Sequence, residues 1–215
     1  MKDLYIVGAG GFGREVAWLV ERINEQKKEW NLKGFIDDNE RLHGNIENRY
    51  PIVGGIEYFK TFDEEVWVVC AVGATDLRRK IVERLLENKN IQFATLIDPD
   101  VILSEKIEIG EGSIICAGTI MTIDIYIGKH VIVNLDSTIG HDVKIRDYVT
   151  VYPSVNISGH VVVDDGVEIG TGTQIIQGKK IGKRTIIGAG AVVVKNIPAK
   201  CTAVGNPAKV IKFRE

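Results

Sequence analysis

The sequence predicts two parts in two fold classes, α/β plus all-β. Residues 1–98 are expected to form a Rossmann-like parallel sheet, and residues 99–215 a left-handed hexapeptide β-helix. Three observations carry this. An apolar strand runs straight into a glycine-rich turn and a helix near the start. An aliphatic residue recurs every six positions through the second half. Asp98-Pro99 stands where one pattern gives way to the other. A length of 215 residues is enough for one or two domains with their own cores.

In the first part, residues 4–7 read as a short apolar strand. Gly8-Ala9-Gly10-Gly11-Phe12-Gly13 follows, and residues 14–20 read as a helix. A G-x-G-x-x-G pattern has meaning only between a strand and a helix, which is where this one lies. Its glycines allow backbone N–H groups to approach phosphate, and a helix N-terminus favours anions. The bland alternative is a tight turn with no ligand. Residues 32–36 are expected as a second strand ending at Asp37-Asp38. A third strand is expected over 66–72, a helix over 77–86 and a fourth strand over 93–97. Asp98-Pro99 is expected to be a hinge. Asp37 lies 24 residues after Gly13, near the place of the ribose-binding acid in a dinucleotide fold. NAD is therefore one reading. Four strands, however, make little more than one mononucleotide half, so a nucleotide-sugar suits the size better.

In the second part, every sixth residue from Ile109 to Val193 is aliphatic or Met, with no slip. Gly110, Gly128, Gly140, Gly170, Gly182 and Gly188 each follow such a residue and are expected to ease the backbone at a corner. Four residues after each aliphatic comes a small or β-branched side chain, interrupted by Lys179. A helix repeats at about 3.6 residues and a simple strand at 2, so a strict six is the mark of a hexapeptide β-helix. Three hexads should close one coil, and coils should stack at about 4.8 Å.

Composition narrows the function classes. A formal charge of −2 gives no general electrostatic case for nucleic acid or an anionic membrane. No run approaches the ~18–20 apolar residues of a membrane span. The start Met1-Lys2-Asp3-Leu4, running directly into a strand, is expected not to be a signal peptide. Cys70, Cys116 and Cys201 are odd in number and widely spaced, which suits reduced cytoplasmic thiols.

The repeat also singles out a site. His141 is the third residue of a hexad, and it faces outward if Ile139 and Val143 face inward. Gly159 is 18 residues later, hence one coil on at the same corner. An exposed imidazole beside a bare backbone N–H offers a proton acceptor and an oxyanion donor. His160 adjoins that glycine. His43 reads as solvated in the polar loop 41–48, and His130 as a surface or interface residue at a turn. Cys116 reads as structural.

With its two parts in this order, the chain resembles the NeuD/PglD-type sugar acyltransferases of bacterial surface-glycan synthesis over essentially its whole length. The stretches IVGAGGFGREV, GFIDD, NLDSTIGHDVKI, IGAGAVVVKNIP and VGNPAK carry the resemblance. It implies a cytoplasmic homotrimer that uses acetyl-CoA and no metal. The acceptor would be the amine of a nucleotide-linked amino sugar, or alternatively a hydroxyl of sialic acid or another sugar. It implies that the N-terminal domain holds the nucleotide-sugar, and that coenzyme A lies along the repeat between subunits. In that reading His141 is the general base and Asp142 its acidic partner. Asn134 lies near the acceptor, and Gly159 faces the thioester carbonyl. Asp37 and Asp38 face the nucleotide base, while Gly10, Gly11 and Arg14 form the phosphate-binding turn. His160 would contact the cofactor, and Lys209 would meet the coenzyme A phosphates or else belong to a plain C-terminal cap. Many members carry a second histidine nine residues after the base, where this chain has Thr150. A zinc enzyme of the hexapeptide-helix type would need three histidines, but the spacings of His130, His141 and His160 do not match that pattern. A non-catalytic nucleotide-sugar-binding scaffold is the rival outside enzymes.

Overall fold

The computed structural model describes residues 1–214, the side chain of Thr61 excepted. It divides into two compact units, Met1–Pro99 and Asp100–Glu215.

The first unit is a sheet with helices on it. Its elements are β1 (Lys2–Val7), α1 (Gly11–Gln26), β2 (Trp30–Ile36), β3 (Ile46–Glu47), β4 (Tyr50–Gly54), β5 (Val66–Cys70), α2 (Thr75–Leu85) and β6 (Ile91–Phe93). The order across the sheet is β3-β4-β2-β1-β5-β6. All neighbours are parallel except the β3/β4 hairpin. Leu4, Ile6, Phe35, Ile36, Val68 and Val69 are fully buried. Continuous apolar strands of this kind belong to a parallel sheet covered on both faces. On α1 the buried Gly13, Val16, Ala17 and Val20 follow the i, i+3, i+4, i+7 stripe of a packed helix. Gly13 permits close packing: a Cβ there would lie 1.9 Å from the Gly8 carbonyl oxygen.

This sheet is larger than the four strands expected. The polar loop expected over 41–48 includes the end of a 3₁₀ turn, Glu40–Leu42, and β3, and the β3/β4 hairpin adds β4 as a fifth parallel strand that the expected elements did not include. Pro51 and Gly54 hide β4 from a propensity reading, since both residue types are rare in strands. The expected strand over 93–97 is two pieces, β6 and a short strand at Leu96–Ile97. Asp98 is no free hinge. It is buried, and both its oxygens accept from the Arg22 guanidinium of α1, at 2.8 and 3.1 Å.

The second unit is a hexapeptide β-helix of stacked two-residue parallel strands. Through the coils up to Val193, pairing joins residue n to residue n+18: Ile114 to Ile132 to Thr150, Ile120 to Thr138 to Asn156, and Tyr126 to Lys144 to Val162. The last rung steps by 16, Ile181 to Ile197 and Ile186 to Thr202, before an antiparallel hairpin. The six-residue aliphatic row is buried from Ile115 to Val193, and so are Ser113, Thr119, Val131, Val143 and Val161 of the second row.

The corner residues differ from expectation. The left-handed backbone falls three residues after the aliphatic from Ile109 to Ile187, at Gly118, His130, Asp136, Asp142, Tyr148, Ser154 and His160 among others. The glycine directly after the aliphatic is needed for another reason. A Cβ on Gly140 would lie 2.8 Å from the Gly159 nitrogen, and one on Gly128 would lie 2.7 Å from the Arg146 carbonyl carbon. Glycine there lets successive rungs touch. His130 is likewise not on the surface: it is buried, with its ring stacked on Tyr148 at 5.1 Å.

Gly13→Ala should lower the unfolding free energy by about 1–3 kcal/mol or more, because its Cβ meets unyielding backbone. Gly10→Ala has open space around it and should change stability by less than about 0.5 kcal/mol. Urea unfolding of the two variants checks the contrast.

Candidate active site

The repeat builds one constellation at a corner of the β-helix. The strand Thr138–Ile139 ends at Gly140, whose N–H donates to the Ile157 carbonyl at 2.8 Å. His141 and Asp142 turn the corner, Asp142 in the left-handed region at φ 59°. Asp and His tolerate that region better than most residues. The next rung locks to this one through the His160 N–H, which donates to the His141 carbonyl at 2.9 Å. His160 repeats the left-handed turn at φ 58°. The side chains of His141, Asp142 and His160 all stand about half exposed.

Asp142 lies between the two imidazoles. Its Oδ2 is 2.8 Å from His141 Nδ1 and 3.6 Å from His160 Nε2. The two rings meet edge to face at 4.9 Å. The His141 hydrogen bond is the main influence holding the Asp142 carboxyl below its ordinary value; the weaker effect of desolvation opposes it. An ionised Asp142 accepts from Nδ1–H, which leaves the His141 lone pair at Nε2. That nitrogen borders Gly159. A Cβ on Gly159 would lie 2.5 Å from both Cε1 and Nε2 of His141, so glycine makes room for the ring. Among the described residues no protein group accepts from the Gly159 N–H, while its carbonyl accepts from Gly178 at 3.0 Å. A proton acceptor therefore stands beside an available backbone donor.

The first unit has a separate cavity of about 360 Å³. Val7 and Gly8, Ile36 to Asp38, and Val72 line it at the carboxyl ends of β1, β2 and β5. The chain runs from β1 outward in both directions across the sheet, so this is the topological switch point where open α/β sheets bind ligands. Asp37 Oδ2 accepts from the Ala9 N–H of the glycine turn at 3.0 Å, and its Oδ1 accepts from Asn39 N–H at 2.9 Å. Asp38 accepts from Ile56 N–H at 2.9 Å and pairs with Arg84 at 2.6 Å. Burial works to raise the Asp38 carboxyl, but the Ile56 N–H and the Arg84 guanidinium outweigh it and hold the group below its ordinary value. Gly10 caps α1 through its backbone and has open space beside it, while a Cβ on Gly11 would lie 3.9 Å from the Arg14 guanidinium. Arg14 reaches Glu47 at 3.3 Å. His43, expected to be merely solvated, is exposed but also bonds the Asp37 carbonyl through Nε2 at 2.7 Å.

The structure thus joins His141, Asp142, Gly159 and His160, and separately groups Asp37 and Asp38 around one cavity. Asn134 stands one hexad earlier, at a different corner, where its Oδ1 accepts from Leu135 N–H. Lys209 is exposed on the terminal strand Lys209–Phe213. That hairpin touches Val192 through Ala208 N–H. Val192 is three rungs beyond Thr138, roughly 14 Å along the stack. Sequence reading passed over Lys80 and Arg84, which line the cavity from α2. Their i, i+4 spacing on the helix following β5 was the available signal.

Three comparisons bear on this arrangement. Residues 3–85 match the PglD N-terminal domain. A stretch of 118 residues, 54% of this chain, is 35% identical to the UDP-N-acetylbacillosamine N-acetyltransferase of Bacillus subtilis (strain 168); the match spans about half (52%) of that relative's length. Two solved structures are similar over nearly every residue. WeeI from Acinetobacter baumannii AYE is 33% identical, with 98% of this chain and 100% of that chain covered and a TM-score of 0.87. The acetyltransferase domain of PglB from Neisseria gonorrhoeae FA1090, in complex with acetyl coenzyme A, is 30% identical, with 98% and 99% covered and a TM-score of 0.88.

The Asp38 pairing has a pH signature. A carboxyl lowered by folding adds stability above its unfolded value of ~4, and that stability is lost as pH falls through the folded value. Asp38→Asn should flatten the acid limb of thermal stability as pH falls below about 4. The effect should be small, on the order of 0.5 kcal/mol, because the pair is nearly half exposed. Melting curves that superimpose for both proteins across this range would show that the pairing adds nothing.

Proposed function

As the chain belongs to the NeuD/PglD-type sugar acetyltransferases, we propose that it transfers an acetyl group from acetyl-CoA to the amine of a nucleotide-linked amino sugar, in the cytoplasm, as a step of surface-polysaccharide synthesis. The observation that carries this reading is the His141 Nε2 edge set against Gly159, with Asp142 on the opposite ring nitrogen.

The chemistry follows from those groups. The amine arrives as an ammonium ion, and His141 Nε2 takes a proton from it. The freed nitrogen pair attacks the thioester carbonyl, and the carbonyl pair moves onto oxygen, where the Gly159 N–H meets it. Asp142 holds the imidazolium that forms. The carbon–sulfur bond then breaks with its electron pair on sulfur, and the His141 proton passes to the thiolate. The nitrogen sheds its second proton to water, leaving an amide, free coenzyme A and one proton in solution. Coenzyme A is itself a competent leaving group, so the transfer asks no metal of the protein.

The remaining roles are assigned in the same reading. Asp37 and Asp38 face the nucleotide base at the carboxyl end of the sheet, with Gly10, Gly11 and Arg14 at the phosphates. Asn134 contacts the acceptor, and His160 and Lys209 contact coenzyme A. Asn134 and His141 stand at different corners, which supports a homotrimer whose clefts unite residues of two subunits. Exposed Ile102, Ile120 and Ile123 supply apolar surface for such association.

His141→Ala should lower kcat by about 10²–10⁴-fold on a nucleotide-linked amino sugar while leaving the acetyl-CoA Kd near that of the wild type. Steady-state kinetics with calorimetry checks both, and near wild-type turnover would remove His141 as the base. Asp37→Ala combined with Asp38→Ala should weaken nucleotide-sugar binding more than acetyl-CoA binding. Tight NAD binding with no nucleotide-sugar binding, measured by the same calorimetry, would overturn the assignment of the first unit.

A further inference from the structure

The histidines that a reading of the sequence offers as a zinc triad do not form one, because His130 is buried against Tyr148. The fold assembles a different donor set. We propose that His141, Asp142 and His160 bind one divalent ion of the zinc class, and that this ion switches the acetyl-transfer site off.

Two imidazoles and one carboxylate converge from adjacent rungs, and their ligand atoms lie within 4.8 Å of one another. Among the described residues this is the one group of three such donors. Asp142 Oδ2 is already 2.8 Å from His141 Nδ1 and 3.6 Å from His160 Nε2. A tetrahedral ion with bonds of about 2.0–2.2 Å holds its ligands roughly 3.3 Å apart, so small side-chain rotations complete the site. The backbone beneath is fixed by the ladder bonds from His160 N–H to His141 and from Asp142 N–H to Ile123. Imidazole nitrogen favours zinc, cobalt or nickel over magnesium or calcium, which take oxygen ligands. All three side chains are exposed, which leaves a path for entry and a fourth position for water. The thiols of Cys70, Cys116 and Cys201 are buried and do not compete.

The consequence for chemistry is direct. An ion bound at His141 Nδ1 displaces the proton that Asp142 holds there, so the neutral ring carries its one N–H at Nε2 and has no lone pair where the amine must give up its proton. The ion would also pull the Asp142 carboxylate away from its bond to His141. Metal binding stands apart from the reaction proposed above; only the inhibition rests on it.

The test titrates the full-length chain, stripped with EDTA and dialysed, with zinc chloride in a calorimeter. A parallel titration with cobalt(II) is followed by its visible absorption, which reports imidazole ligation in low-coordinate geometry. We expect one ion per chain. Affinity should fall at least about tenfold in His160→Asn and in Asp142→Asn, and should hold in His43→Ala. Asparagine tolerates the left-handed backbone at both positions, and thermal melts confirm that the variants fold. Zinc should suppress acetyl transfer by the wild type, and EDTA should restore it. No saturable binding to the wild type, or undiminished binding in both asparagine variants, would overturn the site. Binding without suppression would overturn the switch and leave the site standing. A wild type that binds zinc yet acetylates no nucleotide-linked amino sugar would sink the proposed reaction alone.

Discussion

The stacked coils of the second unit depend on the pairing of residue n with residue n+18. Parallel strands of two residues are too short to hold themselves, so each rung exists because the next one accepts its hydrogen bonds. That constraint has chemical consequences. It stacks Gly159 on the rim of His141 and sets the second imidazole of His160 within reach of Asp142. It also explains why glycine follows so many of the inward aliphatics: a side chain there would strike the backbone one rung away. The site is thus a by-product of the same contact that holds the coil together. The polar groups to which the chemistry is assigned occupy exposed corner positions that have no part in the core.

The first unit solves a different problem with two neighbouring acids. Asp37 ties the glycine turn after β1 to the end of β2 through the Ala9 N–H. Asp38 ties the end of β2 to the 3₁₀ turn at Ile56 and to Arg84 on α2. Together they hold the rim of the switch-point cavity, which no single strand end could shape. Arg78, buried on α2, adds to this by donating to the carbonyls of Val72 and Gly73 at 2.6 and 3.0 Å, fixing the loop that borders the same cavity. A ligand at that rim therefore meets a framework that is already braced.

Much of this was legible in the residues, for reasons that differ between the units. The six-residue row survives in sequence because every inward position is shape-restricted, and the coil length of 18 then follows from three hexads. That arithmetic was enough to pair His141 with Gly159. It was not enough to place His160 against Asp142, since that contact depends on left-handed corners at both residues rather than on spacing alone. Sequence alone also does not separate the two roles of glycine: after an inward aliphatic it relieves crowding between rungs, while the torsion of the corner is borne three residues after the aliphatic. In the first unit β4 escaped notice because Pro51 and Gly54 interrupt it. The Arg22–Asp98 pair was invisible because its partners are far apart in sequence. His130 looked like surface beside Lys129, yet its left-handed turn carries the ring onto Tyr148.

The most direct test of this account is the effect of Gly159→Ala on acetyl transfer to a nucleotide-linked amino sugar. The added methyl group meets the tip of the His141 ring rather than backbone, so the coil should fold with little change in melting temperature. Turnover should nevertheless fall by about 10²-fold or more, because the ring and the backbone donor are forced apart. A folded Gly159→Ala protein that turns over like the wild type would contradict the claim that the rung contact between His141 and Gly159 is where the chemistry happens.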